Sequence, residues 1–471
     1  MKKETASDST YHARHSSRSL RRAKCIAEHI QPGATVLDVG CNNGITSQYL
    51  IDQSIATHVT GVELLATTVS ESLKQDSRFT LIEGNIAELE IRKRFDACIY
   101  GAVHHHILNF YGLSAAVATL QMLAEQCDRY LFFETGQISE GGRWSWQSAI
   151  RQNFRTDEEH FFYLLRSIEH LIDDFSIIGK FWIHGARRWY LRIDMKSEAE
   201  RTSAMSPLVV RRLPEIIDGP YIRSRGSKNQ ILSRTDDVKN SQSPTVFSIA
   251  TEPDGSRSFV KTYLHHPSAA VIEYQIGQKI VESWAVKATA MTETTDTLIF
   301  PHIDKARSIR SFSIAARSTR RLIAGQVLRI FDNARQTEIT LPRRPLLPAK
   351  AGLTLVDVCD LNQNNFLIAD GDQRFTVRVI DFEQQSVDYS YRNRLHLARL
   401  LWILRQNRLR AMAEFLLGSV GGLLNLLKYQ TKSAAIRIRD RQPSLMSLVV
   451  ADLQTIGGGV LRVMLKAIGL S

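Results

Sequence analysis

Short apolar runs alternate with amphipathic, helix-like segments over residues 16–193. This alternation is typical of a parallel sheet flanked by helices. The runs predict seven strands, with the sequences TVLDV, HVTGVE, FTLIEG, FDACIYG, RYLFFET, FSIIGKFWI and RRWYLRIDM. Only HGA separates the last two, so we expect them to form an antiparallel hairpin rather than another crossover.

The order of elements changes after a polar, proline-containing stretch at residues 197–218, which we interpret as a linker. The strand-like segments TVFSIATE and RSFVKTY flank a PDGS turn, and a helix near Pro267, the segment LIFPHI and several basic helices follow. Strands first and helices afterwards predict an α+β domain with a small sheet lobe and a helical lobe. We therefore expect a Rossmann-like α/β domain at 1–196, the α+β domain at 219–410, and a helical, basic C-terminal tail at 411–471.

Composition narrows the possible classes of function. The 471 residues are too many for one core, and the net charge of +12 favours anionic partners. The five cysteines lack CxxC spacing, which argues against a disulfide framework and a structural zinc site. No signal peptide or long uninterrupted apolar run is evident, so we expect a cytoplasmic location. Without an aromatic-rich platform or recognition motif, the basic charge alone does not indicate nucleic acid.

A glycine-containing turn follows the first predicted strand in VLDVGCNNG. The strand ends in Asp38, and Gly40 and Gly44 precede a helical pattern, so the backbone can approach a ligand at a helix N-terminus. The second strand ends in Glu63, at about the distance where doubly wound folds place the carboxylate that binds ribose hydroxyls. This arrangement predicts a nucleoside-binding site.

These residues resemble the D-x-G-x-x-x-G hallmark of class I methyltransferases that use S-adenosylmethionine. The resemblance implies that the turn residues and the strand-end carboxylate bind the cofactor: Asp38, Gly40, Cys41, Gly44 and Glu63. It also implies adenine contacts from Asn85 and Ile86 in EGNI, with Asn85 standing where Asp is commoner. An amide oxygen can still accept from the adenine amino group.

Residues after the fourth and fifth predicted strands are candidates for the wall of the methyl acceptor pocket. His104, His105 and His106 are consecutive and cannot all point one way, which disfavours a mononuclear metal site and leaves a pocket wall or plain packing. From their position in the sequence, further residues are expected to form a lid or to hold an acceptor phosphate: Trp144 and Trp146 for the lid, and Arg143, Arg151 and Arg155 for the phosphate.

A second chemistry is indicated by residues 355–384, which contain CDLNQNNFLI and VIDFE. Asp360 and Asn365 have the D-x-x-x-x-N spacing that phosphoryl transfer uses to position an acceptor hydroxyl and a magnesium ion, and Asp381 ends a strand-like run. The short connection between the two segments is a hairpin signal that would bring them together. The alternative is a polar hairpin that binds nothing.

Upstream residues favour the phosphoryl-transfer interpretation. Lys261 lies on a predicted strand, and Glu273 lies on the following helix, with Glu282 as an alternative partner for the lysine. Together these segments resemble the small-molecule branch of the protein-kinase-like superfamily. The resemblance implies ATP and magnesium as cofactors, with Lys261 on a phosphate and Asn365 and Asp381 on the metal.

Three departures from that superfamily stand in the sequence. Val358 replaces the usual His before the catalytic Asp, Glu383 replaces the Gly of DFG, and no Gly-rich phosphate cover precedes the first strands. These departures leave an inactive pseudokinase as an alternative.

A methyltransferase followed by a kinase-like domain resembles the bifunctional terminators of bacterial O-antigen chains. The resemblance implies phosphorylation of a terminal sugar on an anionic or lipid-linked polysaccharide, and then methylation of that phosphate. The apolar and basic tail suggests docking to a glycosyltransferase or to the inner face of the cytoplasmic membrane. The alternative is a methyltransferase fused to a kinase or pseudokinase that acts on a non-polymeric metabolite or lipid.

Overall fold

The computed structural model describes residues 7–142, 144–183, 185–205, 208–223, 232–234, 245–264, 267–280, 283–294, 296–304, 306–340, 345–346, 353–359, 361, 365–370, 375–379 and 390–431. The chain forms two compact units. Unit 1 comprises Met1–Ser206 with Asp237–Gln242, and unit 2 comprises Pro207–Asp236 with Ser243–Ser471. Several predicted site residues lie outside the described residues: Arg143, Glu282, Asp360, Asp381 and Glu383.

Unit 1 alternates strands and helices along the chain. In chain order its elements are α1 (Ser7–Ala27), β1 (Ala34–Val39), α2 (Ile45–Asp52), β2 (Ala56–Glu63), α3 (Glu71–Lys74), β3 (Phe79–Glu83), β4 (Phe95–Gly101), α4 (His104–Glu125), β5 (Cys127–Glu134), α5 (Ser145–Asn153), α6 (Asp157–Ser167), β6 (Ile172–Ile183), β7 (Ala186–Met195) and α7 (Glu198–Met205). All seven predicted strands are confirmed.

The seven strands form one sheet in the order β3-β2-β1-β4-β5-β7-β6. The first five strands pair in parallel, and β7 pairs antiparallel with both β5 and β6. The predicted terminal hairpin is therefore confirmed. This mixed seven-stranded sheet is a methyltransferase-like fold. Because the carboxyl ends of its parallel strands meet at one edge, the turn after β1 and the end of β2 lie side by side there.

Helix α4 is long and apolar for a helix of a doubly wound fold. By length and composition it passes as a candidate membrane span, but half of its apolar window is buried within the protein. Gly112 has a φ of 82° and interrupts the helical backbone. The burial identifies α4 as a core helix of unit 1.

Unit 2 contains more strands in its first half and more helices in its second half. In chain order its described elements are β8 (Glu215–Arg223), β9 (Leu232–Arg234), β10 (Thr245–Thr251), β11 (Arg257–Tyr263), α8 (Pro267–Lys279), β12 (Ala290–Met291), β13 (Thr297–Pro301), β14 (Arg307–Ser308), α9 (Arg317–Gln336), α10 (Leu355–Val358), β15 (Phe366–Asp370), β16 (Phe375–Val379), α11 (Ser390–Ile403) and α12 (Arg408–Thr431).

The described strands of unit 2 form two sheets. One has six strands in the order β12-β13-β11-β10-β8-β9, and the other has three in the order β14-β15-β16. The residues predicted as a linker, 197–218, contain helix α7 and the start of β8, whose backbone pairs with β10. The core of the second half forms where α9, α11 and the β15–β16 hairpin bury apolar side chains together, among them Phe331 and Phe366, which stack with ring centroids 5.9 Å apart.

Candidate active sites

Asp38 stands at the end of β1 with its carboxyl group almost fully buried. Its Oδ2 accepts a hydrogen bond of 2.6 Å from Ser47 Oγ on α2. Burial raises the pKa of Asp38 to about 6, and the nearby Glu63 adds to the rise, while the Ser47 hydrogen bond opposes it. A buried carboxyl group of this kind favours a cationic ligand, because a positive charge would offset the cost of its ionisation.

The two glycines after Asp38 hold the turn in a conformation that other residues reach only with strain. Gly40 has a φ of 71° and Gly44, which caps the N-terminus of α2, has a φ of 79°. A Cβ on Gly40 would lie 2.2 Å from Cγ2 of Val103, and one on Gly44 would lie 2.2 Å from Cδ2 of Leu73. The positive φ therefore favours glycine at both positions, and a Cβ at either would also displace a neighbouring side chain.

Glu63 is fixed at the end of β2 by the backbone around it. Its Oε2 accepts from the amide of Asn42 at 2.9 Å, and its Oε1 accepts from the amides of Leu64 and Leu65 at 3.0 and 3.3 Å. The side chains of Leu64 and Leu65 are 62% and 57% exposed beside it. The fixed carboxylate could accept hydrogen bonds from ribose hydroxyls, and the exposed leucine side chains could pack against a flat base. The sequence pattern did not identify these leucines as candidates.

The predicted adenine contacts lie after β3. The side-chain oxygen Oδ1 of Asn85 accepts from the amide of Ala87 at 3.1 Å, and its Nδ2 donates to Glu88 at 2.9 Å and to the Tyr111 hydroxyl at 2.7 Å. Ile86 is buried. The amide of Asn85 is thus already oriented, and its oxygen keeps a second lone pair for a base.

Cys41 differs from the other predicted cofactor residues, because its side chain is buried in the core of unit 1 together with Val36 and Leu50. Burial raises the pKa of its thiol, which disfavours the thiolate. Only the backbone of Cys41 can face a ligand. The donor set of this edge otherwise fits S-adenosylmethionine: a buried carboxyl for a cation, a fixed carboxylate for a ribose, and apolar side chains for a base.

A buried network of charges, which sequence reasoning missed, lies at the carboxyl end of β5. Glu134 accepts from Arg22 at 2.6 and 2.5 Å and from Arg188 at 3.1 Å. Arg188 also donates two hydrogen bonds of 2.8 and 2.7 Å to Glu140. Two arginines and two glutamates compensate one another, so the network can remain buried. Its members are distant in the sequence, and each resembles an ordinary surface charge.

The three consecutive histidines separate as expected, with His104 and His105 buried and His106 exposed. Nδ1 of His104 lies 3.3 Å from the Tyr100 hydroxyl, and Nδ1 of His105 accepts from the amide of Gly136 at 3.1 Å. Burial lowers the pKa of both rings well below the usual range, so both are neutral near pH 7. Across the described residues, no three His, Cys, Asp or Glu side chains are grouped to hold a metal ion.

The residues predicted as a lid or as phosphate contacts do not share one environment. Trp146 is buried with its ring 4.9 Å from that of His105, whereas Trp144 is 43% exposed. Arg151 and Arg155 are both exposed, and Arg151 donates to the carbonyl of Ile138 at 3.2 Å. Trp146 therefore packs beside the histidines, and the predicted lid and phosphate-binding roles stay predictions.

In unit 2, Lys261 of β11 and Glu273 of α8 form a buried ion pair. Nζ of Lys261 lies 2.7 Å from Oε2 of Glu273, and the two side chains are 5% and 1% exposed. The Tyr263 hydroxyl also donates to Glu273, and its ring lies under the Lys261 ammonium with the centroid 4.8 Å from Nζ. The structure thus brings together the two residues that the sequence paired. Since a buried ion pair is seldom the most stable choice for a core, its presence suggests a functional use.

The β15–β16 hairpin has the register that the phosphoryl-transfer interpretation needs. Phe366 is opposite Val379, so Asn365, directly before β15, lies at the end where the chain leaves β16. Asn365 is buried, and Val379 is held by backbone hydrogen bonds of 2.8 Å with Trp284 and Val286. Asp360 and Asp381 lie outside the described residues, so their predicted roles are not placed by the geometry.

A buried asparagine on α11, not predicted from the sequence, anchors the chain on both sides of position 360. Nδ2 of Asn393 donates to the carbonyls of Val356 and Cys359 at 2.7 and 2.8 Å. Its Oδ1 accepts from the amide of Leu361 at 3.0 Å. Asn393 therefore joins α11 to the described residues Val356, Cys359 and Leu361, which flank position 360 in the sequence.

Comparison with known proteins supports the methyltransferase half. Residues 20–126 match the FtsJ-like methyltransferase family, and this range contains the glycine turn, Glu63 and Asn85. Unit 1 therefore contains a methyltransferase domain. A search of curated proteins finds no significant match.

Solved structures resemble the chain at low identity. N-methyltransferase NodS from Bradyrhizobium japonicum WM9 is 13% identical, with 41% of this chain and 99% of NodS covered and a TM-score of 0.29. Magnesium protoporphyrin IX methyltransferase ChlM from Synechocystis PCC 6803 with bound SAM is 16% identical, with 42% and 86% covered and a TM-score of 0.30. The bifunctional kinase-methyltransferase WbdD is 14% identical, with 93% and 92% covered and a TM-score of 0.29. Likenesses this weak do not assign an activity to either unit.

Proposed function

We propose that this chain is a bifunctional enzyme that phosphorylates a terminal sugar of a bacterial surface polysaccharide and methylates the new phosphate, which caps the chain. The observation that carries the proposal is the presence in one chain of two separate constellations. Unit 1 has the buried Asp38 and the fixed Glu63 at a methyltransferase sheet edge. Unit 2 has the buried Lys261–Glu273 pair.

The chemistry of unit 1 needs no protein base if the acceptor is a phosphate. S-adenosylmethionine supplies an electrophilic methyl group. A phosphate monoester is ionised near neutral pH, so one of its oxygens forms the new bond to the methyl carbon while the carbon–sulfur bond breaks. The buried His104 and His105 are neutral, which agrees with a wall that shapes the acceptor pocket rather than one that removes a proton.

The chemistry of unit 2 follows the protein-kinase-like motifs. ATP with magnesium supplies the phosphoryl group. Lys261, held by Glu273, would bind a phosphate, and Asn365 and Asp381 would hold the magnesium ion. Asp360 would orient the acceptor hydroxyl and take its proton as the hydroxyl oxygen bonds to the γ-phosphorus and the bond between that phosphorus and ADP breaks. The support for this assignment is the buried ion pair and the register of the β15–β16 hairpin.

We also propose that the enzyme acts in the cytoplasm at the inner face of the membrane, where it docks to lipid or to a glycosyltransferase through the tail. The start of the tail packs on α11, since Phe415 contacts Leu395 and Ala398. Farther along α12, several apolar side chains that share one face are exposed: Leu416, Leu417, Val420 and Leu424. An exposed apolar face on a basic protein suits a peripheral contact.

The proposal is tested by two labels on one acceptor. Purified enzyme is incubated with an oligosaccharide, ATP labelled at the γ-phosphate and S-adenosylmethionine labelled at the methyl group, and the products are resolved by mass spectrometry. We expect both labels at the non-reducing end. Since the phosphate must exist before it is methylated, Lys261→Met should remove both labels, whereas Glu63→Ala should remove the methyl label and leave the phosphate.

The matched control for the lysine variant is Lys279→Met, because Lys279 is an exposed lysine on α8 whose Nζ donates to the carbonyl of Thr340. This control should retain both labels. Methylation that persists in Lys261→Met would contradict the order of the two reactions. Labels confined to a small metabolite would support the alternative of a non-polymeric substrate.

A further inference from the structure

A pocket of about 610 Å³ in unit 2 is lined mainly by arginines. Its volume is within the range of small-molecule sites. Five of its eight lining residues are arginines, and none is acidic: Arg317, Arg320, Arg321, Arg405 and Arg408. The first three belong to the start of α9, and the other two lie where α11 is connected to α12. The pocket shares no lining residue with the Lys261–Glu273 constellation.

The positions of these arginines conflict with helix electrostatics. Arg317, Arg320 and Arg321 fall within the first five residues of α9, where the helix dipole and the free amide groups disfavour positive charge. The first turn of α9 contains no acidic residue and no side-chain cap. Arg408 likewise starts α12, whose first turn also lacks an acidic residue. Two helix starts thus bring cations together at a place where an anion would be stabilised.

The protein itself supplies no counter-charge within the described residues. The nearby acidic side chains Asp332 and Glu414 pair with Arg335, Arg394 and Arg410, and no described carboxylate lies within ion-pair distance of the five pocket arginines. Nη1 of Arg320 donates to the carbonyl of Ala315 at 2.5 Å, but its buried Nε has no partner in that part of the chain. Among the described residues, the positive charge of the pocket is therefore uncompensated.

We propose that this pocket binds a pyrophosphate group. Each guanidinium group can donate two parallel hydrogen bonds to the oxygens of a phosphate. Five arginines therefore offer phosphate more directional hydrogen bonds than the same number of lysines would. A single phosphate carries about −2, which would leave most of the pocket charge uncompensated, whereas two linked phosphates balance it more closely. The site is independent of the proposed phosphoryl transfer and goes beyond it, since it would hold a substrate or carrier rather than the reacting group.

The test is calorimetric titration of the full chain with inorganic pyrophosphate in magnesium-free buffer. The variant combines Arg317→Gln, Arg321→Gln and Arg408→Gln, and all three side chains are exposed. We expect its affinity for pyrophosphate to be at least tenfold weaker. The matched control is Arg329→Gln, because Arg329 is an exposed arginine of α9 outside the pocket, and its affinity should be unchanged.

A second measurement separates ligand binding from a structural role. Because the arginines repel one another, the triple variant without ligand should have a Tm equal to or above that of the wild type. A lower Tm, an affinity unchanged in the triple variant, or an equal loss in Arg329→Gln would overturn the proposal. Binding of anionic phospholipid vesicles without any binding of pyrophosphate would also overturn it, in favour of a membrane surface.

The source of the pyrophosphate is distinguished by two further ligands. Tighter binding of farnesyl pyrophosphate than of inorganic pyrophosphate would assign a lipid-linked carrier, and tighter binding of ADP in the Lys261→Met background would assign a nucleotide. Lys261→Met should weaken ADP binding at the kinase-like site and leave the affinities for the two pyrophosphates unchanged. A loss of pyrophosphate binding in that variant would place the ligand in the kinase-like site and so contradict a separate pocket.

Discussion

Replacing Asp38 with asparagine removes a carboxyl group whose ionisation the ligand-free fold disfavours. The side chain is 4% exposed and its Oδ2 accepts from Ser47 Oγ at 2.6 Å. Burial raises the pKa of Asp38 from 3.8 to about 6. The asparagine keeps the shape and an oxygen for the Ser47 hydroxyl, so the substitution changes mainly the charge.

The sign and size of the effect follow from this pKa. Between pH 3.8 and about 6 the folded protein binds a proton that the unfolded chain has lost, so stability falls as pH rises through this window. A rise of roughly two units at about 1.4 kcal/mol each corresponds to about 3 kcal/mol of lost stability above pH 6. Asp38→Asn should therefore be more stable than the wild type at pH 8, and its advantage should shrink by about 1.4 kcal/mol at pH 5.

Urea unfolding of the ligand-free protein at pH 5 and pH 8 measures this difference. The matched control is Asp52→Asn, because Asp52 is an exposed carboxylate at the end of α2 and should show no such advantage. A stability advantage of Asp38→Asn that stays constant between the two pH values would refute the reasoning, as would a variant less stable than the wild type at pH 8.

The same group links cofactor binding to pH. S-adenosylmethionine carries positive charge, which favours ionised Asp38, so its binding to the wild type should strengthen as pH rises through about 6. Asp38→Asn should bind more weakly and lose this dependence. Calorimetric titrations at pH 5 and pH 8 provide the measurement, and an equal slope in both proteins would exclude Asp38 as the linked group.

Three further predictions concern the turn, the loop anchor and the buried pair. Gly40→Ala should destabilise unit 1 by about 2 kcal/mol or more, because it adds a steric clash to backbone strain. Gly185 has a φ of 78° and open space around it, so Gly185→Ala should show the effect of strain alone in the same urea unfolding experiment. Asn393→Ala removes three buried hydrogen bonds, so it should lower the free energy of unfolding by about 3 kcal/mol. It should also reduce ATP turnover more than methyl transfer, and equal losses in the two assays would contradict a specific role. Lys261→Met combined with Glu273→Leu should end ATP turnover without lowering the Tm, since apolar pairs often replace buried ion pairs without loss, and a large fall in Tm would indicate a structural pair.

The sheet of unit 1 was predictable because β1, β2 and β4 are buried on both faces over most of their length and appear as nearly continuous apolar runs. The edge that holds the candidate site was predictable for the same reason, since Asp38 and Glu63 directly follow two of those runs. The interruption of α4 at Gly112 was not, because a glycine within an apolar helical pattern indicates neither a kink nor its absence.

Residues that act through distant partners could not be found from the sequence. Asn393 lies 32 positions from Leu361, whose amide it binds, and nothing in its neighbourhood on α11 marks it. Arg188 is 54 positions from Glu134. The periodicity of apolar residues identifies the buried face of a helix or strand. The role of a single polar residue on that face becomes clear only when the structure shows its hydrogen-bond partner.

The balance of charge separates structural from ligand-binding groups in this protein. In unit 1, Arg22 and Arg188 are neutralised by Glu134 and Glu140, so the network is complete without a ligand. The arginines at the start of α9 have the opposite property, because they violate the helix-dipole preference and meet no described carboxylate. A sequence retains such a local conflict only when something offsets it. In the network of unit 1, the two glutamates already balance the charge of the two arginines. In the arginine pocket, a bound anion would supply the balancing negative charge.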